Sequence, residues 1–281
     1  MITVEPLPGA GAEVRGVDLA LIDEAAFARL REAFATHGLL FFRDQTLSEA
    51  EHVAFAERWA PIEVNRFFAA HPDWPQIALV TKEPDQQANI GGGWHTDHSY
   101  DAEPALGSIL VARELPPTGG DTWFVSLYDA FDRLSPGLRE TLRGLRAVHS
   151  ARHVFGTGAG YAQTSEGSGG RIGNAAAADA LADVVHPVVI RHPLSGREAL
   201  YVNPAFTLRF EGWTDAESRP LLDFLYAHTV AEESICRFRW APGSVTFWDN
   251  RATWHFAQND YHGHRREMHR ITLTGEPLAG A

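Results

Sequence analysis

The sequence predicts a mainly β protein with helices, an antiparallel jelly roll with flanking helices, and three observations carry that expectation. Short apolar runs of strand length recur through most of the chain, Gly and Pro punctuate them, and the helical signals gather early or in insertions. A doubly wound parallel sheet would need a regular alternation of strand and helix, which is not seen.

Taken in order, Ala26, Phe27, Leu30, Phe34 and Ala35 fall at helical spacing over residues 23–37, and Leu39-Leu40-Phe41-Phe42 then reads as a buried strand. Ser48 with Glu51 forms a capping box that opens a second helix running towards Trp59. From there β signals dominate, with strands expected over 77–80, 107–114, 122–125, 146–151, 186–192, 199–202, 235–240, 245–248 and 269–274. Helices are expected after Ser126, over 136–145, and from Thr214 to about 232, where Thr214 and Glu217 make another capping box. The helices should cover one face of the β layers. Residues 156–183 are rich in Gly, Ala and Ser and too long for a tight connection. They are expected to be a flexible lid, with a plain surface insertion as the alternative. No internal repeat is present, and one domain over 1–281 is expected.

Composition narrows the function. An apolar fraction of 44% with 21% charged residues is ordinary for a globular chain, and no apolar run approaches the roughly 18 residues that span a bilayer. The N-terminus lacks a basic segment followed by an apolar one, so no secretory signal is read there, and the lone Cys236 allows no intrachain disulfide. Both point to the cytoplasm. A formal net charge of −12 disfavours nucleic acid and anionic membranes as partners. An anionic ligand must then be caught by a local arginine cluster.

Trp94-His95-Thr96-Asp97 and the distant His255 supply the chemistry. Two histidines and one carboxylate are the facial triad that holds non-haem Fe(II) and leaves coordination positions open for oxygen chemistry. A His-x-Asp pair alone is weak evidence, but this one follows Gly91-Gly92-Gly93, and His255 follows an expected strand and the turn Asp249-Asn250-Arg251. Arg266 and Arg270 lie beyond it beside the final strand. The same three ligands also suit Zn2+ and a hydrolase, which would need no oxygen.

WHTD, TGGDTWF at 118–124 and WDNRATWHFAQNDYHGHRREMHR at 248–270, with VRGVDL near the start and HPVVIRHPLSGREALYVN between, resemble the taurine dioxygenase family of Fe(II)/2-oxoglutarate-dependent oxygenases. That family includes enzymes acting on phenoxyalkanoate herbicides and alkyl sulfates. The resemblance implies a double-stranded β-helix (cupin-like jelly roll), O2 and 2-oxoglutarate as cosubstrates with release of succinate and CO2, and a homo-oligomer, dimer or tetramer. It makes His95, Asp97 and His255 the iron ligands and gives Thr122 and Arg266 to the distal carboxylate of 2-oxoglutarate. A cosubstrate that chelates the metal through its keto acid leaves a second carboxylate to be paired, and arginine's planar fork does that bidentately. Arg270 falls to the anionic group of a small organic substrate and Phe206 to an apolar wall, while Trp248 is expected to pack near the metal. Halogenases of this kind lack the carboxylate ligand, so Asp97 points to hydroxylation.

The chain departs from the taurine-specific pattern. Asn89-Ile90-Gly91-Gly92-Gly93 stands where those enzymes carry an Asp-Asn pair for the amine, and Asn65 with Phe67 or Phe68 stands where they have a histidine and a tyrosine. An unpaired ammonium would cost about 1–3 kcal/mol or more, so taurine is disfavoured. A sulfonate, sulfate ester or aryloxyalkanoate remains, with Asn65 as a candidate contact. His98 either bonds the substrate anion or is structural. A non-catalytic 2-oxoglutarate sensor is the other alternative to the zinc hydrolase, and oxygen-dependent succinate formation separates all three.

Overall fold

The computed structural model describes residues 2–159 and 172–281. Strands β1 (Thr3–Pro6) and β2 (Ala12–Arg15) precede helix α1 (Glu24–His37) and strand β3 (Leu39–Phe42). The Asp23 carboxylate opens α1 by accepting from the Ala26 N–H, and Gly38, left-handed at φ 66°, closes it by donating to the Phe34 carbonyl. Helix α2 (Glu49–Glu57) starts at the expected Ser48–Glu51 capping box. Then follow β4 (Ile62–Glu63), β5 (Ala78–Lys82), β6 (Gly107–Glu114), β7 (Thr122–Ser126), α3 (Leu127–Asp132), α4 (Pro136–Arg143), β8 (Arg146–His149) and α5 (Arg152–Phe155). The remainder is α6 (Ala175–Ala180), β9 (Val184–Pro187), β10 (Val189–Arg191), β11 (Glu198–Leu200), β12 (Thr207–Phe210), α7 (Asp215–Thr229), β13 (Cys236–Phe238), β14 (Val245–Asp249), β15 (Thr253–Ala257) and β16 (Arg266–Leu273).

The major sheet runs β1-β2-β3-β14-β6-β16-β4, with β5 also on β16, and a minor sheet runs β13-β7-β15. Strand alternation explains both cores. Leu40 and Phe42 of β3, Val245 and Phe247 of β14, and Ile271 and Leu273 of β16 pack against Phe27, Leu30 and Phe34 of α1 and Val53 of α2. Their neighbours Leu39, Phe41, Trp248 and Met268 point the other way and meet Phe124 and Phe238 of the minor sheet. Leu39-Leu40-Phe41-Phe42 shows no alternation because both its faces are covered. Arg266, Met268 and Arg270 share one face of β16, so the strand that closes the inner core also delivers two guanidiniums between the sheets.

Helices flank both sheets. Helix α3 packs Leu127 and Tyr128 on Val125 and Trp254 behind the minor sheet, and α4 and α7 close a further core around Val188, Val189, Leu200 and Phe210. Helical cover on one face is therefore half of the arrangement, because the minor sheet has an apolar outer face of its own. The strand expected over 186–192 breaks at Val188 into β9 and β10, and that expected over 146–151 stops at His149. Strands β1, β2, β4, β12 and β15 were not read from the sequence; β15 places His255 inside a strand that follows the expected turn. Of the segment expected as a lid, residues 160–171 lie outside the described residues, and on its far side Ile172 bridges Phe68. No helix among the described residues is long and apolar enough to cross a membrane.

Two buried histidines away from the metal-type cluster give the fold an acid limit. Burial pushes His52 down to about 3, helped by Arg113 and His269, and burial with His186 pushes His149 well below its usual range. A depressed folded-state value means that the unfolded chain takes up protons first as pH falls through about 6.5, so the stability these groups contribute is present above that pH and lost below it. The melting temperature is expected to drop by several degrees between about pH 7.5 and pH 5. A flat profile across that window in a thermal-melt series would contradict this.

Candidate active site

The two histidines are paired through the backbone. The His95 N–H donates to the His255 carbonyl at 3.1 Å and the His255 N–H returns to the His95 carbonyl at 2.8 Å. Residues exchanging both bonds across an antiparallel pair carry their side chains on the same side, and the ring centroids lie 4.1 Å apart. The glycines ahead of His95 permit this approach. Gly91 is left-handed at φ 78°, its carbonyl accepts from the Ala257 N–H at 3.0 Å, and a Cβ there would sit 3.2 Å from His95 Cε1.

Asp97 completes the group. Its Oδ1 lies 3.7 Å from His95 Nε2 and its Oδ2 3.9 Å from His255 Nε2, and one ligand atom from each residue falls within 4.8 Å of the others. His95 Nδ1 lies 2.7 Å from the Gly93 carbonyl. A carbonyl only accepts, so Nδ1 carries the proton and the Nε2 lone pair is left facing Asp97. Burial, reinforced by His95, holds His255 well below its usual range and therefore neutral, as ligation requires. Burial would raise the Asp97 carboxyl, but the Arg270 guanidinium, then His255 and His95, outweigh it and hold the group well below the carboxylate range. Arg270 Nη1 donates to Asp97 Oδ2 at 3.3 Å and Ser108 Oγ donates to the same oxygen at 3.4 Å. Two imidazole nitrogens and a carboxylate converging in this way can hold a divalent transition metal. Trp248 packs its ring 4.7 Å from that of His255.

Arg266 lies in the same interior at 5% exposure, and its Nε and Nη2 have no hydrogen-bond partner among the described residues. Burial lowers its pKa. Its guanidinium carbon sits 5.7 Å from the Trp240 ring centroid, and Trp240 Nε1 donates to Thr122 Oγ1 at 3.0 Å, which brings Thr122 to the same corner. Gly120, left-handed at φ 72°, makes room: a Cβ there would meet Arg266 Cδ at 3.1 Å. Leaving a buried guanidinium unmatched is costly, so this corner is built for an anion, and the distal carboxylate of a dicarboxylic acid fits it.

A cavity of about 550 Å3 joins the triad, Thr122, Arg266 and Arg270 to an apolar surround that includes Phe68, Ile90, Tyr100, Leu110, Phe155 and Phe206. Phe206 packs edge-on to Tyr100 at 4.7 Å, and the Arg270 guanidinium lies over the Phe68 ring at 4.3 Å. Asp97 is the sole carboxylate among the described residues that line it.

His98 and Asn65 do not line this cavity. His98 is left-handed at φ 60° and its Nδ1 is engaged by Asp101 Oδ2 at 2.8 Å, a bond within the protein. Asn65 spends its Oδ1 on the Phe67 and Phe68 N–H groups at 2.9 and 3.0 Å, a turn that presents Phe68 to the cavity in its place. Tyr100 and Trp240 were missed, since neither spacing nor composition marks them. Two other groups, Glu49 with His71 and His269 and Glu63 with His98 and Asp101, are also close enough for a metal. Arginine already occupies both: Arg113 Nε donates to His269 Nδ1 at 3.1 Å, and Arg66 pairs with Glu63 and Asp101 at 3.1 and 3.0 Å.

Residues 3–272 match the family model described as taurine catabolism dioxygenase TauD, TfdA family. The chain belongs to that family. Among curated relatives, an alkylsulfatase of Acinetobacter baylyi is 32% identical over 96% of this chain and 84% of its own length. An alpha-ketoglutarate-dependent sulfate ester dioxygenase of Pseudomonas putida is 32% identical over 99% of this chain and 91% of its own. The crystal structure of a taurine dioxygenase from Burkholderia xenovorans superposes with a TM-score of 0.81 at 33% identity, covering 99% of this chain and 91% of that one. As a TauD/TfdA member the protein is a 2-oxoglutarate-dependent dioxygenase with the cupin-like jelly roll, and the family implies a metal as well as 2-oxoglutarate and O2.

Proposed function

We propose that the protein hydroxylates a small anionic organic substrate bearing an alkyl or aryl tail, with Fe(II) held by His95, Asp97 and His255. Thr122 and Arg266 take the distal carboxylate of 2-oxoglutarate, and Arg270 takes the substrate anion. The observation that carries this is the pair of buried guanidiniums, Arg266 and Arg270, in a cavity whose sole carboxylate among the described residues is Asp97. Arg266 Nε and Nη2 have no hydrogen-bond partner among the described residues, and Arg270 shares Asp97 with the metal ligands. A divalent ion on Asp97 would draw that charge away and leave Arg270 to seek another anion.

When bound, the metal and 2-oxoglutarate supply O2 activation, with succinate and CO2 as coproducts. This chain's residues do the rest. The His95–His255 backbone pair fixes two ligands on one side, Gly93 sets the His95 tautomer, and Ser108 with Arg270 orients Asp97. Arg266 and Arg270 anchor two anions at separate corners, while Phe68, Tyr100, Phe155 and Phe206 exclude water from the reacting carbon. Where the hydroxylated carbon carries sulfate, sulfonate or aryloxy, the product collapses to a carbonyl compound and releases that group by C–O or C–S cleavage.

Sulfate esters are the leading class, on the likeness to the Pseudomonas putida and Acinetobacter baylyi proteins; sulfonates and aryloxyalkanoates share the same anchoring chemistry. Taurine fits poorly. Asn89 commits its amide N–H to the Ala257 and Gln258 carbonyls at 2.8 and 3.3 Å, and no second acid among the described residues lines the cavity to meet an ammonium.

Succinate assay with and without O2 tests the reading. Oxygen-dependent succinate that rises with an alkyl sulfate is the expected result; hydrolysis of the ester without oxygen would favour a zinc hydrolase, and ligand binding without turnover a sensor. Arg270→Ala is expected to raise the substrate KM by about a hundredfold, the cost of an unpaired buried charge, and to change the 2-oxoglutarate KM by less than about threefold. Equal effects on both would mean that Arg270 serves the cosubstrate.

A further inference from the structure

The segment HPVVIRHPLSGREALYVN ends in Asn203, which is fully buried and does not itself line the cavity. Every polar atom of its side chain is used. Nδ2 donates to Ser99 Oγ at 2.9 Å, and Oδ1 accepts from the Ala205 and Phe206 N–H groups at 3.1 and 2.9 Å. Its own N–H donates to Thr207 Oγ1 at 2.9 Å. Ser99 stands two residues after Asp97, and Phe206 is a wall of the substrate cavity.

We propose that Asn203 is a positioning residue that couples the metal-binding segment to the substrate wall. One amide grips the Asp97 segment through its donor and the Phe206 turn through its acceptor, so the distance from metal to wall is set by a rigid planar group rather than by packing. The proposal rests on the assignment of Asp97 as a metal ligand.

Three features support a coupling role over simple burial. The tie joins chain positions over a hundred residues apart, |i−j| being 104 for the Ser99 contact. Ser99 is held on its other side by His149, whose Nδ1 lies 3.2 Å from Ser99 Oγ, while the serine oxygen accepts from Asn203. Ser99 is thus tied to strand β8 beneath and to Asn203 beside. A second direct link between the two segments, the Tyr100–Phe206 ring contact at 4.7 Å, is apolar and sets no register. The consequence is functional: ordering of Asp97 by the metal is transmitted to Phe206, so the wall reaches its final position once metal and 2-oxoglutarate are in place. Misplacement of the order of 1 Å at a reacting centre costs about a hundredfold in rate, which gives a fixed register its value.

Backbone hydrogen exchange of the full chain, read by mass spectrometry without and with Mn(II) plus 2-oxoglutarate under anaerobic conditions, tests this without turnover or a known substrate. In the unaltered protein, loading is expected to slow exchange in peptides covering 95–101 and 203–207 alike. Ser99→Ala cuts the tie together with the contact to His149, so the slowing is expected to persist at 95–101 and to shrink at least about threefold at 203–207. Asn203→Ala, which cuts both ends, should do the same, and it keeps the test open if the first variant folds poorly. Protection confined to 95–101 in the unaltered protein, or full transmission in both variants, overturns the proposal while leaving the metal assignment standing. No protection at 95–101 on loading overturns the metal assignment, and the coupling with it.

Discussion

Replacing Asp97 with alanine is expected to abolish oxygen-dependent succinate formation, lowering the rate by at least about a thousandfold, and to release the metal. Two effects act together. The triad loses its anionic ligand, and Arg270, buried at 6% exposure, loses the carboxylate it touches at 3.3 Å. An uncompensated buried charge costs about 3–5 kcal/mol, so the variant should also melt lower than the parent. Asp97→Asn separates the two: it keeps the volume and an oxygen for Arg270, and should restore much of the stability while leaving turnover lost. Retained activity in either variant, measured with metal supplied in excess, would remove Asp97 from the metal site.

Arg266→Met is expected to act in opposite directions on binding and stability. The 2-oxoglutarate KM should rise by about a hundredfold, because the distal carboxylate loses a charge-assisted partner in a buried corner. Without ligand, however, Arg266 is a buried guanidinium whose Nε and Nη2 lack hydrogen-bond partners among the described residues, and burial already lowers its pKa. An apolar side chain of similar length removes that penalty, so the ligand-free variant should melt a few degrees higher. Enzyme kinetics beside a thermal melt reads both. A ligand-free protein that melts lower while its 2-oxoglutarate KM moves less than about threefold would mark Arg266 as a structural residue.

Much of this was legible in the sequence where local patterns decide. The capping boxes at Ser48 and Thr214 open α2 and α7 where expected, because each needs only residues three apart. The strand over 107–114 matches β6 throughout. The geometry also brings His95, Asp97 and His255 together, with Thr122, Arg266, Arg270 and Phe206 on the same cavity. What was hidden depends on contacts distant in the chain or on local bonding that outweighs alignment. Asn65 and His98 sit next to the cavity residues in sequence, but an Asx turn and a left-handed backbone with an Asp101 bond direct their side chains elsewhere. Strand β15 was obscured because its pairing is with β7 and with His95, far upstream. Asn203 gives no local signal at all, since its meaning lies in Ser99.

The account stands most directly on one measurement, the anaerobic visible spectrum of the purified protein with Fe(II) and 2-oxoglutarate, titrated with alkyl sulfates, sulfonates and aryloxyalkanoates. It predicts a metal-to-ligand charge-transfer band that forms with both components present and that one of these anion classes sharpens and shifts. Absence of any band at saturating Fe(II) and 2-oxoglutarate would contradict it, because His95, Asp97 and His255 would then not hold a chelated iron.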